Sequence, residues 1–251
     1  MKLTYGILSF IMVVFSTQAS FVDVVKQIKP SVVGIGVHTP TSRPQNMLMG
    51  TGFVIGDGHY IVTNHHVLPD ELDESLLQKM AVFVGTGKTA KVREAEIVAT
   101  SSYYDLAILK IQGPALPAMT LSKGTFYPDG SAIAFTGFPI GAILGLYPVT
   151  HRGIIASITP TVVPAVSAGQ ISIKMLKRMR DPYLVYQLDA TAYPGNSGSA
   201  MYDRETGEVI AIINKVFVQE TKEAVISKPS GITYAIPVKY LHKLLKKHGL
   251  D

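Results

Sequence analysis

Short apolar runs rich in β-branched residues, each closed by Gly, Pro or Asn, recur along most of the chain: Val32 to Val37, Gly52 to Ile55, Ala81 to Val84, Ala107 to Ile111, Ala132 to Thr136, Gly153 to Ile158, Leu184 to Leu188 and Val209 to Ile213. Runs of this length at this frequency predict an all-β barrel or sandwich. Two segments repeat with helical spacing instead. Phe21, Val24, Val25 and Ile28 line one face of a short N-terminal helix. After Pro237, the residues Val238, Leu241, Leu244 and Leu245 form the apolar stripe of a C-terminal helix that Gly249 ends. No internal repeat is visible. The connection from Thr159 to Pro182 is long for a link between strands, and loops of that length are usually functional or disordered.

The first residues follow a different pattern. Lys2, the apolar stretch Ile7 to Phe15 and the small residues around Ala19 predict a signal peptide over residues 1–19 and therefore an exported protein, periplasmic or secreted. Its apolar core is too short for a stable membrane span. Export invites disulfides, yet the chain has no cysteine; core burial must hold it together, which 251 residues allow, and this suits a bacterial envelope or secreted protein. A cysteine nucleophile is excluded. No His-Glu-x-x-His spacing suggests a metal and no Gly-rich phosphate loop follows a strand, so the sequence predicts no cofactor. The net charge of +5 is mild, and the basic clusters Lys174 to Arg180 and Lys243 to His248 are short; they read as a solvated segment and a complemented helix C-terminus, and no nucleic-acid partner is expected.

Candidate chemistry centres on Gly195-Asn196-Ser197-Gly198-Ser199. A serine between glycines is a hydroxyl presented on a tight turn, where the amides of Gly195 and Ser197 can converge on the oxygen of an attacked carbonyl. Such turns are also common in ordinary loops. Upstream partners strengthen the functional reading: His65-His66 follows the strand-like run His59 to Val62, and Asp105 opens the apolar run Leu106 to Leu109. A serine hydroxyl needs an imidazole to take its proton, and that imidazole needs a carboxylate on its other nitrogen.

Several further segments carry a resemblance. Gly50 to Ile55, Thr63 to Val67, Tyr104 to Lys110, Gly137 to Gly141, Gly153 to Ile155, Asp189 to Thr191, Pro194 to Gly198 and Tyr234 to Pro237 together resemble the trypsin-fold serine proteases of the HtrA/Deg type. The resemblance implies two six-stranded antiparallel β-barrels with the site in the cleft between them. It divides the chain at Leu121 to Asp129, into an N-terminal barrel over 20–125 with His and Asp and a C-terminal barrel over 126–251 with Ser and the closing helix. It assigns Ser197 as nucleophile, His66 as base, Asp105 as the group orienting His66, and the Gly195 and Ser197 amides as the oxyanion hole. His65 falls where the family varies.

The same resemblance implies an uncharged pocket, with Ala192 five residues before the serine and Ile212 and Ile213 on the strand that forms another wall. Small or medium aliphatic substrate residues are then expected. Thr191 stands where a preference for Lys or Arg would need a carboxylate, and Asp189 reads as structural. Ser199 is shared with glutamyl endopeptidases, but Ile213 replaces the histidine on which they rely. Asn196 replaces the aspartate with which a newly cut N-terminus pairs in trypsin-like zymogens, so activation by a defined cut is not expected. The chain ends at Asp251 just after the closing helix, with no PDZ domain expected. The family's counterparts of the Thr159 to Pro182 loop shape activation and subunit contacts, which leaves a homo-oligomer open. The expected function is a serine endopeptidase acting on polypeptides, above all unfolded segments of exported proteins; the alternative is a catalytically silent trypsin-fold scaffold that binds peptides.

Overall fold

The computed structural model describes residues 20–140, 145–161, 182–214 and 232–250. The expected signal peptide and most of the Thr159 to Pro182 connection lie outside the described residues. The apolar runs become strands of two closed antiparallel barrels. The first is built from β1 (Val32–His38), β2 (Asn46–Ile55), β3 (Tyr60–Thr63), β4 (Lys79–Val84), β5 (Lys91–Ser101) and β6 (Leu106–Ile111), in the order β1-β2-β3-β6-β5-β4. The second uses β7 (Ala132–Gly137), β8 (Val149–Pro160), β9 (Leu184–Asp189), β10 (Ala200–Asp203), β11 (Val209–Asn214) and β12 (Ile232–Pro237), in the order β10-β11-β12-β9-β8-β7. Both barrels therefore share one strand order although the sequence shows no repeat.

The apolar runs are nearly continuous because many strands are covered on both faces, and successive side chains on a strand point to opposite sides. In β6, Ala107 and Leu109 fill the first barrel with Val33, Ile35, Val54, Ile61 and Val82. Their neighbours Leu106 and Ile108 face outward, into a cluster that also takes Phe53, Val62, Ala134, Tyr202, Ile212 and Ile236 and so joins the barrels. The second barrel is filled by Ile133, Phe135, Ile155, Tyr186, Leu188, Met201 and Ile213. Between β6 and β7 the chain crosses from one barrel to the other: the Met119 amide bonds the Val54 carbonyl of β2 at 2.9 Å, and the Ser122 amide bonds the Val209 carbonyl of β11 at 2.9 Å.

The two expected helices are present and close the joining cluster. α1 (Phe21–Ile28) is capped by Ser20, whose hydroxyl accepts the Asp23 amide, and buries Val24 and Ile28. α2 (Val238–His248) buries Val238, Leu241, Leu244 and Leu245, and ends where Gly249 takes a left-handed conformation and its amide reaches back to the Leu245 and Lys246 carbonyls. Among the described residues no helix is long and apolar enough to cross a membrane.

Candidate active site

Asn64, the residue after β3, leads into a single 3-10 turn, His65–Val67. Because β3 pairs with β6, with Thr63 opposite Ala107, the turn that carries the histidines lies beside the start of β6, where Asp105 sits. Asp105 has φ 55°, in the left-handed region that Asp tolerates better than most side chains. In this conformation its carbonyl accepts the His65 amide at 3.2 Å and the Asn64 side-chain amide at 3.1 Å. Its carboxylate turns to His66, accepting the His66 backbone amide on Oδ1 at 2.9 Å and the ring Nδ1 on Oδ2 at 2.7 Å. The carboxylate is buried while the His66 side chain is 32% exposed, so one end of the ring is anchored and the other faces solvent. Next to Asp105, Tyr104 stacks on Tyr240 of α2 with ring centres 4.6 Å apart. The closing helix thus packs against the loop that presents Asp105.

Ser197 comes from the other barrel. Gly195 and Gly198 have φ 97° and 86°, and a Cβ on either would run into backbone: the Phe138 carbonyl at Gly195, the Thr51 carbonyl at Gly198. The amides of Asn196, Gly198 and Ser199 bond the carbonyls of Tyr193, Ile213 and Asn196. No described acceptor takes the amides of Gly195 and Ser197, the two singled out from the sequence. The first barrel grips this turn through Thr51 of β2. Its amide donates to the Ser197 carbonyl at 2.9 Å, while its hydroxyl donates to the Gly195 carbonyl at 2.6 Å and accepts the Phe138 amide at 3.0 Å. Gly50 completes the approach, since a Cβ there would meet Val67 Cγ1 at 2.7 Å and the Ser197 carbonyl at 3.1 Å. The turn of His66 and the turn of Ser197 therefore close on one glycine. Ser197 is itself buried, at 7% exposure.

The residues expected to line the pocket divide. Ala192 and Ile213 are buried in the same cluster inside the second barrel. Ile212 is not with them. It belongs to the cluster that joins the barrels, because adjacent residues of β11 point to opposite faces. Thr233 of β12 secures the turn before the serine: its hydroxyl accepts the Ala192 amide at 3.1 Å and donates to the Ala190 carbonyl at 2.6 Å. Asp189 ends β9 as an exposed residue. On the first-barrel side of His66 a cleft of about 740 Å³ opens between Met49, Leu68, Pro69, Asp70 and Ile97, and His65 lies on its wall.

Three participants are absent from the sequence-based expectation. Asn214, the last residue of β11, donates its side-chain amide to Asp105 Oδ2 at 2.7 Å. Thr51 joins the barrels as described, and its place inside the Gly50 to Ile55 segment was the available signal. His151 of β8 stacks on Phe135 of β7 with ring centres 4.9 Å apart and accepts the Asn196 side-chain amide at Nε2 at 3.5 Å. Burial among these groups pushes His151 below the usual imidazole range, because the charged ring would lose its water.

The family model of the trypsin-like peptidase domain matches residues 50–212. A protein of Halomonas elongata described as a probable periplasmic serine endoprotease, DegP-like, is 31% identical over 191 residues, covering 76% of this chain and 33% of that one. A Chlamydia trachomatis protein of the same description is 30% identical over 220 residues, covering 87% and 36%. The chain spans about a third of the length of these relatives. Among solved structures, the serine endoprotease from Yersinia pestis superposes with a TM-score of 0.64 at 25% identity, over 93% of this chain and 68% of that one. With over half of the chain matched, and with two closed six-stranded barrels that bring Ser197 to the turn of His66, the chain belongs to the trypsin-like peptidase domain family.

Proposed function

We propose that this protein is a serine endopeptidase in which Ser197, His66 and Asp105 form the catalytic triad. The observation that carries the reading is the pairing of His66 Nδ1 with the buried Asp105 carboxylate at 2.7 Å, on the turn that closes against Ser197. With its Nδ1 proton held by Asp105, the neutral ring carries its lone pair on Nε2, where it can take the Ser197 proton as Oγ attacks a substrate carbonyl. The oxyanion that forms is held by the uncommitted Gly195 and Ser197 amides; removing one such donor typically costs about 10²–10³-fold in turnover. The imidazolium then protonates the leaving amine, and water releases the acyl group by the same path in reverse. Asp105 stays ionised throughout and stabilises the charged ring.

Ala192 and Ile213 place apolar surface in the interior beyond this turn, which supports a preference for small or medium aliphatic residues before the scissile bond. A charged side chain there would be desolvated without a partner, at a cost of several kcal/mol. The names of the relatives support an envelope location, with residues 1–19 as the export signal and exposed or unfolded segments of envelope proteins as substrates. The crossing of the chain between Met119 and Ser122 supports a division into an N-terminal barrel over 20–125 and a C-terminal barrel over 126–251. The deciding experiment is incubation of the purified protein with unfolded casein beside its Ser197→Ala variant. Cleavage by the first and not the second is expected; no cleavage by either returns the chain to the class of silent scaffolds.

A further inference from the structure

We propose that His151 is a positioning residue for the nucleophile turn, acting through the side-chain amide of Asn196; this rests on the endopeptidase reading above. Asn196 is fully buried and immediately precedes Ser197. Its Nδ2 donates to His151 Nε2, while its Oδ1 has no partner among the described residues. That oxygen lies over Gly137 together with the hydroxyls of Ser199 and Thr51, and a Cβ on Gly137 would collide with the group. The Ser199 hydroxyl is likewise buried with no partner among the described residues. The Thr51 hydroxyl is the one that holds the Gly195 carbonyl, and through it the peptide next to an oxyanion amide. His151 therefore holds one end of the Asn196 amide, and the other end shares the space over Gly137 with the hydroxyl that holds Gly195.

The contact between His151 and Asn196 responds to protonation because an imidazole accepts at Nε2 only when neutral. With the Asn196 amide donating at Nε2, the ring proton sits on Nδ1. A second proton turns Nε2 into a donor facing a donor. The Asn196 amide must then turn over or withdraw, and either movement disturbs the packed hydroxyls over Gly137. The described groups against His151 are Phe135 from β7 and, from the nucleophile turn, Asn196 and the titratable Tyr193, whose ring centre is 6.0 Å away. Arg152, next on β8, projects to the opposite face of the strand. The desolvation of His151 keeps it neutral at pH 7, so the ring holds the turn under ordinary conditions and releases it on acidification.

The test compares the wild type with His151→Phe, which keeps the stacking but has no acceptor, and His151→Gln, which keeps an acceptor that does not titrate. The phenylalanine variant should lose about 10-fold in kcat at pH 8 with KM changed less than twofold, and glutamine should recover most of that loss. On the acid side, log kcat of the wild type should fall more steeply than that of the glutamine variant, which lacks the second titrating group. Independently of catalysis, NMR of the Ser197→Ala protein should show the Asn196 side-chain amide shifting with the same midpoint as the His151 ring. An Asn196 amide that stays fixed while His151 titrates overturns the proposal even if casein is cleaved. So does a phenylalanine variant with the wild-type rate and acid limb. Failure of the wild type to cleave any substrate sinks the endopeptidase reading instead, and the NMR titration still judges the His151–Asn196 pair.

Discussion

Asn214 and Asp105, which lie in different barrels and 109 residues apart in sequence, meet at 2.7 Å on the same carboxylate oxygen that receives His66 Nδ1. Asp105 Oδ2 thus accepts two donors, one from each barrel, and the orientation of the His66 ring depends on how the barrels dock. Hydrogen bonds to a charged group contribute roughly 1.5–3 kcal/mol. Asn214→Ala should lower kcat by about 10-fold or more with little change in KM. Asn214→Asp should be worse than Ala, because it sets a second carboxylate against the first. Steady-state kinetics on a peptide substrate check both, and a harmless aspartate would count against the role given to Asp105.

The neighbouring histidines should separate cleanly. His66→Ala or Asp105→Ala should cost on the order of 10⁴-fold in turnover, since triad members act as a unit. His65→Ala should keep most of the activity, because its tie to Asp105 is through the backbone amide, which the substitution leaves in place. Single-turnover assays at saturating enzyme measure the difference, and the reverse order would reassign the base.

Profiling of a mixed peptide library should show Val, Ala, Ile or Leu before the scissile bond, favoured over Lys, Arg or Glu by at least about 10-fold. Ile213→Ala should widen the preference toward larger apolar residues, whereas Ile212→Ala should leave the profile unchanged and act on stability. Ile212 is buried in the cluster that joins the barrels, where Ile→Ala replacements cost about 2–5 kcal/mol. Denaturant midpoints measured beside the profiles distinguish the two effects.

Stability should also report on His151. Its folded-state pKa lies below the ordinary 6.5 because burial disfavours the charged ring. The contribution this makes to stability is complete above the unfolded value and is lost as pH falls through the lowered folded value. Between pH 7.5 and 4.5 the urea midpoint of the wild type should therefore fall further than that of His151→Gln. Parallel curves for the two proteins would show that the ring titrates alike in both states.

The parts of the fold that were legible in the sequence are those where burial writes a continuous signal. β6 reads as a strand because Leu106, Ala107, Ile108 and Leu109 are all fully buried, alternately inside the barrel and between the barrels. β5 is as regular but exposes most of its length, with Lys91, Glu94 and Glu96 in water and Ile97 at 48% exposure, so no apolar run marks it. β10 is only four residues long, and β12, as long as β6, sets Thr233 and Tyr234 among its apolar residues, so no apolar run marks either. In the site, the turn of Ser197 and the segments around His66 and Asp105 are local motifs. Asn214 is an unremarkable polar residue until β11 is set against the first barrel, and the opposite facing of Ile212 and Ile213 depends on a register that a single residue of slippage would invert.

The grip of Thr51 on Gly195, Phe138 and Ser197 bears on the order in which the chain is made. Synthesis delivers the first barrel ahead of the second, so Thr51 is made before the Ser197 turn that it grips. A half-made molecule holds His66 and Asp105 without Ser197, never a working pair. The hydrolytic chemistry proposed for Ser197 is thereby withheld until the second barrel has been made, and the first half of a growing chain is no danger to its unfolded neighbours or to itself.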